Sequence, residues 1–187
     1  IIIDNALLVQ DARQRGQRSE SLRRIASLVA SSATLNEVLQ FSVQELASLL
    51  RADVAAIYLL DDQTHELRAH LKSVWGVSSE AARLLVRMDV DERELHRSTV
   101  TGSQHPFFSG RLSVDDRVSP AYRRIIETVH VESVVVVPLL AREHSVGELM
   151  LGSRVADFFN SNDLQVLSTA AGLLAAAVEG AALLNQT

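Results

Sequence analysis

Ser133-Val134-Val135-Val136-Val137-Pro138-Leu139-Leu140, followed after a short gap by Val146-Gly147-Glu148-Leu149-Met150-Leu151-Gly152, is the stretch whose reading decides the fold. Val134–Val137 is an unbroken β-branched run with no polar alternation, so it reads as a strand covered on both faces. Pro138 is expected to end its tightest pairing, because proline lacks the N–H a central ladder uses. Arg142-Glu143-His144 makes a turn, and Val146–Gly152 returns as the second strand of a hairpin.

Toward the C-terminus, Asn160 with Asp163 three residues on forms a capping-box-like helix start. The helix over 160–187 carries two apolar seams. Leu164, Leu167, Ala171, Leu174, Val178 and Ala181 make one, and Val166, Ala170, Leu173, Ala177 and Leu184 the other. One seam can pack on a sheet; the other needs a different partner, and its small side chains suit a close helix–helix approach. Toward the N-terminus, Ser119-Pro120 starts a helix bearing Tyr122, Ile125, Ile126 and Val129. His105-Pro106-Phe107-Phe108-Ser109 opens a loop that leads into a short strand. Glu92 to Thr101 is predicted helical and closed by Gly102 in the left-handed conformation. Ser78 or Ser79 caps a short helix, and Val86–Val90 suits a strand after it.

The first hairpin pairs Val54–Leu60 with the segment beginning at Glu66, across the turn Asp61-Asp62-Gln63-Thr64. Leu67, Ala69, Leu71 and Trp75 alternate with Arg68, His70 and Lys72, which predicts one continuous strand near a sheet edge. Before it, Leu35–Leu50 is an amphipathic helix. Residues 1–33 read as a linker helix with Leu22, Ile25 and Val29 on one stripe and Gly16 as a joint in its polar centre.

Bulk composition narrows the function. A net charge of −5, with Lys72 the only lysine and the arginines scattered, argues against nucleic acid or an anionic membrane as partner. The absence of cysteine removes disulfides, thiolate metal sites, thiol nucleophiles and thioether-linked chromophores. No signal peptide is legible, and Glu179 interrupts the Ala-rich C-terminal run, so a cytoplasmic location without membrane contact is expected. No histidine pair has metalloprotease spacing, and neither a phosphate loop nor a nucleophile elbow is present. The chain is expected not to be an enzyme.

The order of elements, with Ala52–Asp62 (ADVAAIYLLDD), TGSQHP, SVVVVPLL, VGELMLG and FFNSNDLQVLSTAAGLLAAAVE, resembles a GAF domain over about Leu35 to Leu184. The resemblance implies an α+β, GAF/PAS-like fold. Its central antiparallel sheet has five or six strands, with terminal helices on one face and short helices and loops over a pocket on the other. It also implies a domain over 34–187, whose helix 160–187 carries the signal. The start IIIDNALLVQDA echoes the end AAAVEGAALLNQT, so residues 1–33 look like the tail of a preceding module in a tandem array.

For function, the resemblance implies a sensory, regulatory domain of a multidomain bacterial signalling protein. It would bind a small ligand and relay the signal through a homodimer of terminal helices to neighbouring domains, a further GAF or PAS unit upstream and a kinase or cyclase-type output downstream. The ligand residues would be Phe107, Phe108, Ser109, Tyr122, Arg123, Ile126 and His130. The dimer would use Leu22, Ile25, Val29, Leu167, Ala171, Leu174, Val178 and Ala181. Two alternatives stand beside this reading: a ligandless dimerisation and relay module, and a haem sensor ligated by His130. Methionine sulfoxide reduction and bilin attachment need cysteine. Of the cyclic-nucleotide signature only Phe159 and Asp163 have counterparts, and both double as helix-start residues.

Overall fold

The computed structural model describes residues 2–88, 95 and 99–185. The expected helix Glu92–Thr101 and the end of the strand Val86–Val90 lie largely outside the described residues.

The valine run forms β6, Ser133–Ala141, hydrogen-bonded to β7, His144–Ser153. The ladder runs through Pro138, opposite Glu148, and breaks only at a bulge between Leu139 and Leu140. Pro138 therefore does not end the pairing. Beside it β5, Phe107–Ser109, accompanies β6 only as far as Val136, so beyond that point β6 has an open side on which a missing N–H costs nothing. On its other edge β7 pairs with β1, Val54–Leu60, giving the antiparallel order β4-β2-β1-β7-β6-β5, with β3 also on β1.

The alternating segment after β1 is not one strand. Leu67–Arg68 (β2) pairs with the end of β1 and Val74–Trp75 (β3) with its start, while Leu71–Ser73 loops out between them as a 3-10 turn. His70 Nδ1 accepts the Lys72 N–H, so the turn is capped by a side chain that period-two reading assigned to a strand face. The short helix α3 (Ser79–Leu85) and the edge strand β4 (Arg87–Met88) follow.

Side chains of the sheet divide by parity. Ile57, Val135, Val137, Leu149 and Leu151 point to one face, where they meet α2 (Leu35–Leu50) and the C-terminal helix. A capping box starts α2: Thr34 Oγ1 accepts the Glu37 N–H at 3.3 Å and Glu37 returns an acceptor to the Thr34 N–H at 2.7 Å. Ala56, Tyr58, Val134, Val136 and Met150 point to the other face, beneath α4 (Val100–Ser103) and α5 (Pro120–Val129). The turn after α4 places Gln104, not Gly102, in the left-handed position.

The terminal helices close the first face. The C-terminal helix α6 (Ser161–Asn185) starts from reciprocal Asn160 and Asp163 hydrogen bonds of 3.0 Å. This accounts for Asp163 without a nucleotide. The N-terminal helix α1 (Ile2–Val29) runs unbroken through Gly16, which is therefore no joint. Its second half packs on α2 and α6, with Ile25 fully buried, whereas residues 5–17 are exposed on every side.

That packing corrects the expected dimer surface. Leu167, Ala171, Leu174 and Ile25 are all at most 1% exposed within a single chain; the first three belong to the apolar stripe that seats α6 on the sheet, and Ile25 is buried where α1 packs on α2 and α6. The continuous seam is the core seam, because a helix resting on a sheet must spend its best apolar stripe there. Leu22, Val29, Val178 and Ala181 keep partial exposure.

Candidate ligand-binding face

On the face opposite the terminal helices, α5 lies over the sheet with a small apolar cavity between them. The sheet supplies Ala56, Tyr58, Val134, Val136 and Met150 as its floor, and Ile125, Ile126 and Val129 of α5 form its roof. The helix stands there because Pro120 fits its first turn and its apolar residues fall on one side, with Arg123, Arg124 and Glu127 on the other. The cavity volume is about 40 Å³. That holds a water or two by size, but its apolar lining offers such waters almost no hydrogen bonds.

Phe107 and Tyr122 form the cavity's side wall, stacked with ring centroids 6.5 Å apart at 9°. The same two rings line a second, open cleft of 160 Å³ with Thr99, Ser103, His105 and Arg117. The Arg117 guanidinium lies 5.4 Å from the Phe107 ring centroid. One aromatic pair thus lines both a small apolar chamber and a polar vestibule.

Of the expected ligand residues, the structure brings Phe107, Tyr122 and Ile126 together at this cavity. The others fall elsewhere. Phe108 follows Phe107 on a strand, so it takes the opposite parity and is exposed. Ser109 is buried but engaged: its hydroxyl donates to Asp115, whose carboxyl Arg117 and Ser109 hold well below the usual range. Arg123 lies on the solvent side of α5. His130 is the left-handed C-cap of α5 at φ 54°, exposed and outside the lining, so the position expected for a haem ligand does not reach the cavity.

Sequence reasoning missed the most unusual group on this face. Glu148 is 0% exposed. It shares its parity on β7 with Met150 and Gly152 and lies opposite Tyr58 of β1. Its Oε2 accepts the Thr101 N–H and the Thr101 hydroxyl, both at 2.9 Å, and the Tyr122 hydroxyl at 3.1 Å. Oε1 also lies 3.1 Å from the Tyr122 hydroxyl, which in turn accepts the Val100 N–H at 2.7 Å. No ion pair among the described residues involves it. Burial pushes its carboxyl up to about 6, against the pull of its Thr101 and Tyr122 hydrogen bonds. Burial beside this carboxylate also raises the Tyr58 and Tyr122 phenols. The signal was present in the sequence: one acid at an even step from Met150 and Gly152 in an otherwise apolar strand.

A seven-stranded antiparallel sheet with terminal helices on one face and an aromatic-walled cavity on the other defines an α+β domain. The chain belongs to the GAF domain family, whose model matches residues 34–180. No curated protein sequence matches it. Among solved structures, the chain is similar to the GAF domain of an Acinetobacter phosphoenolpyruvate-protein phosphotransferase, with 21% identity and a TM-score of 0.72 over 91% of this chain and 98% of that one. It is also similar to the free methionine-R-sulfoxide reductase of Neisseria meningitidis, with 19% identity, 89% and 91% coverage and a TM-score of 0.69. A domain of a putative two-component sensor histidine kinase from Sinorhizobium meliloti follows at 16% identity, 83% and 97% coverage and a TM-score of 0.64. At these identities the likeness is one of fold.

Proposed function

We infer that the domain is a non-catalytic sensory module of a larger cytoplasmic signalling protein. It takes up a small ligand on the α5 face and passes the resulting change in packing to its terminal helices, paired in a homodimer with the partially exposed Leu22, Val29, Val178 and Ala181. The observation that carries this reading is the small apolar cavity on the face the terminal helices leave free, with the Phe107–Tyr122 pair shared between its wall and that of an open cleft. Ligand binding alters the helices only through unequal affinity for two arrangements of the sheet and α5. The chain has no cysteine, so the thiol chemistry of a reductase has no nucleophile here.

The size of the cavity favours a second reading, a ligandless relay module. About 40 Å³ is far below the roughly 300–1,000 Å³ of ordinary ligand pockets, so occupancy requires α5 or the aromatic wall to move. Benzene titration followed by NMR separates the two. Under the sensory reading, Ile126 and Val136 resonances shift saturably and Val178 and Ala181 respond with them. A cavity unresponsive to benzene and to the substituted rings tested below, in a chain that still dimerises, sinks that reading and leaves the relay.

A further inference from the structure

Among the described residues the buried carboxylate of Glu148 has no ion-pair partner, and its largest side-chain partner is a phenol that also walls the cavity. Tyr122 therefore does two jobs at once. Its ring fills apolar space between chamber and vestibule, and its hydroxyl donates to Glu148 at 3.1 Å. The space beside it is the open cleft of 160 Å³, and an outward swing of the ring would enter it. If it does, the chamber grows by the volume of the ring and Glu148 becomes its polar end wall, still bonded to Thr101 but short of one donor.

We propose that Tyr122 is an internal stand-in for the ligand, and that the cognate ligand is a compact, apolar, ring-sized molecule carrying a single hydroxyl or ammonium donor, which replaces the Tyr122 phenol against Glu148. This rests on the ligand-binding reading above and narrows it to a chemical class. The geometry selects for a donor because a buried carboxylate left unpaired costs more than a bond gained is worth. It selects against an acid group at the phenol's position, since a second carboxylate there would sit against the Glu148 carboxylate. It selects for a ring because the side chains around the displaced phenol, Phe107 and Ile126 among them, are apolar and already accommodate one. A site built to hydrogen-bond a group discriminates strongly against analogues that lack it.

The test is isothermal titration of the intact chain with phenol, benzylamine, toluene and benzoate, repeated on Glu148→Gln and Tyr122→Ala. Phenol or benzylamine should bind at least about tenfold more tightly than toluene and benzoate. Glu148→Gln should erase the benzylamine preference, and Tyr122→Ala should tighten phenol binding by removing its internal competitor. Where Tyr122→Ala does not fold, Tyr122→Phe serves, since it keeps the ring and removes only the latch; phenol should again bind more tightly. Toluene binding as tightly as phenol overturns the donor class while leaving an apolar ligand site in place. Refusal of all four probes by both the parent chain and the Tyr122 variant overturns the proposal and, with a silent benzene titration, the sensory reading too.

Discussion

Glu148 sits in the middle of β7, one strand of the hairpin that announces the fold, and a carboxylate is the most strongly hydrated kind of side chain to bury there. A fully buried carboxylate with no counter-charge among the described residues is tolerated here because Thr101 and Tyr122 supply three donors. Its pH dependence has a definite sign. The folded carboxyl titrates at about 6 and its ordinary value is 4.5, so the native state binds more protons than the unfolded state between them. The contribution of Glu148 is therefore most favourable below the unfolded value and is lost as pH rises through the folded one. The stability of the parent chain relative to Glu148→Gln should fall by about 2 kcal/mol between pH 4 and pH 7. Urea denaturation of both proteins across that range checks it, and a flat difference would mean the carboxyl is not desolvated as described.

Elements show where periodicity was sufficient and where it was not. The helix α2 and the strands β6 and β7 were legible because a capping box, a β-branched run and a tight turn each have one local solution. The segment from Glu66 to Trp75 was not, because alternation describes both a straight strand and one looped out by a capped 3-10 turn. Only the register to β1 distinguishes them. On α6 the sequence offers two seams and does not say which one the sheet takes. With Leu174 fully buried beneath the sheet, Leu174→Glu should abolish cooperative unfolding, since it places an unpaired charge in the core. Val178→Glu, at a half-buried position one turn later, should leave the melting temperature within about 5 °C and shift sedimentation from dimer to monomer. Circular dichroism and analytical ultracentrifugation read the two effects separately.

For the whole molecule, the terminal helices run side by side in the same direction. Arg18 reaches Asp163 at 3.4 Å near the start of α6, and Val29 shares a groove with Ala177 and Gly180 near its end. Parallel helices of this kind leave the domain at opposite poles: the exposed half of α1 extends from one, and Ala182–Leu184 are exposed at the other. Leu7, Leu8, Leu183 and Leu184 are among the most exposed large apolar side chains. Because residues 5–17 are exposed on every side, deleting residues 1–16 should change the melting temperature by less than about 3 °C. A larger loss would place the first half of α1 within the cooperative unit.

The sequence by itself determined which segments are helix and strand along most of the chain, the antiparallel hairpin at its centre and the family to which it belongs. These follow from side-chain spacing and capping, which act over a few neighbours. Only the tertiary structure decided that Leu167 and Leu174 face the sheet and not a partner, that Phe108, Arg123 and His130 lie outside the cavity, and that Glu148 meets Thr101 and Tyr122. Those outcomes depend on which residues, distant in sequence, arrive at the same place, and that is set by register between strands and by the seating of α5 and α6 on the sheet.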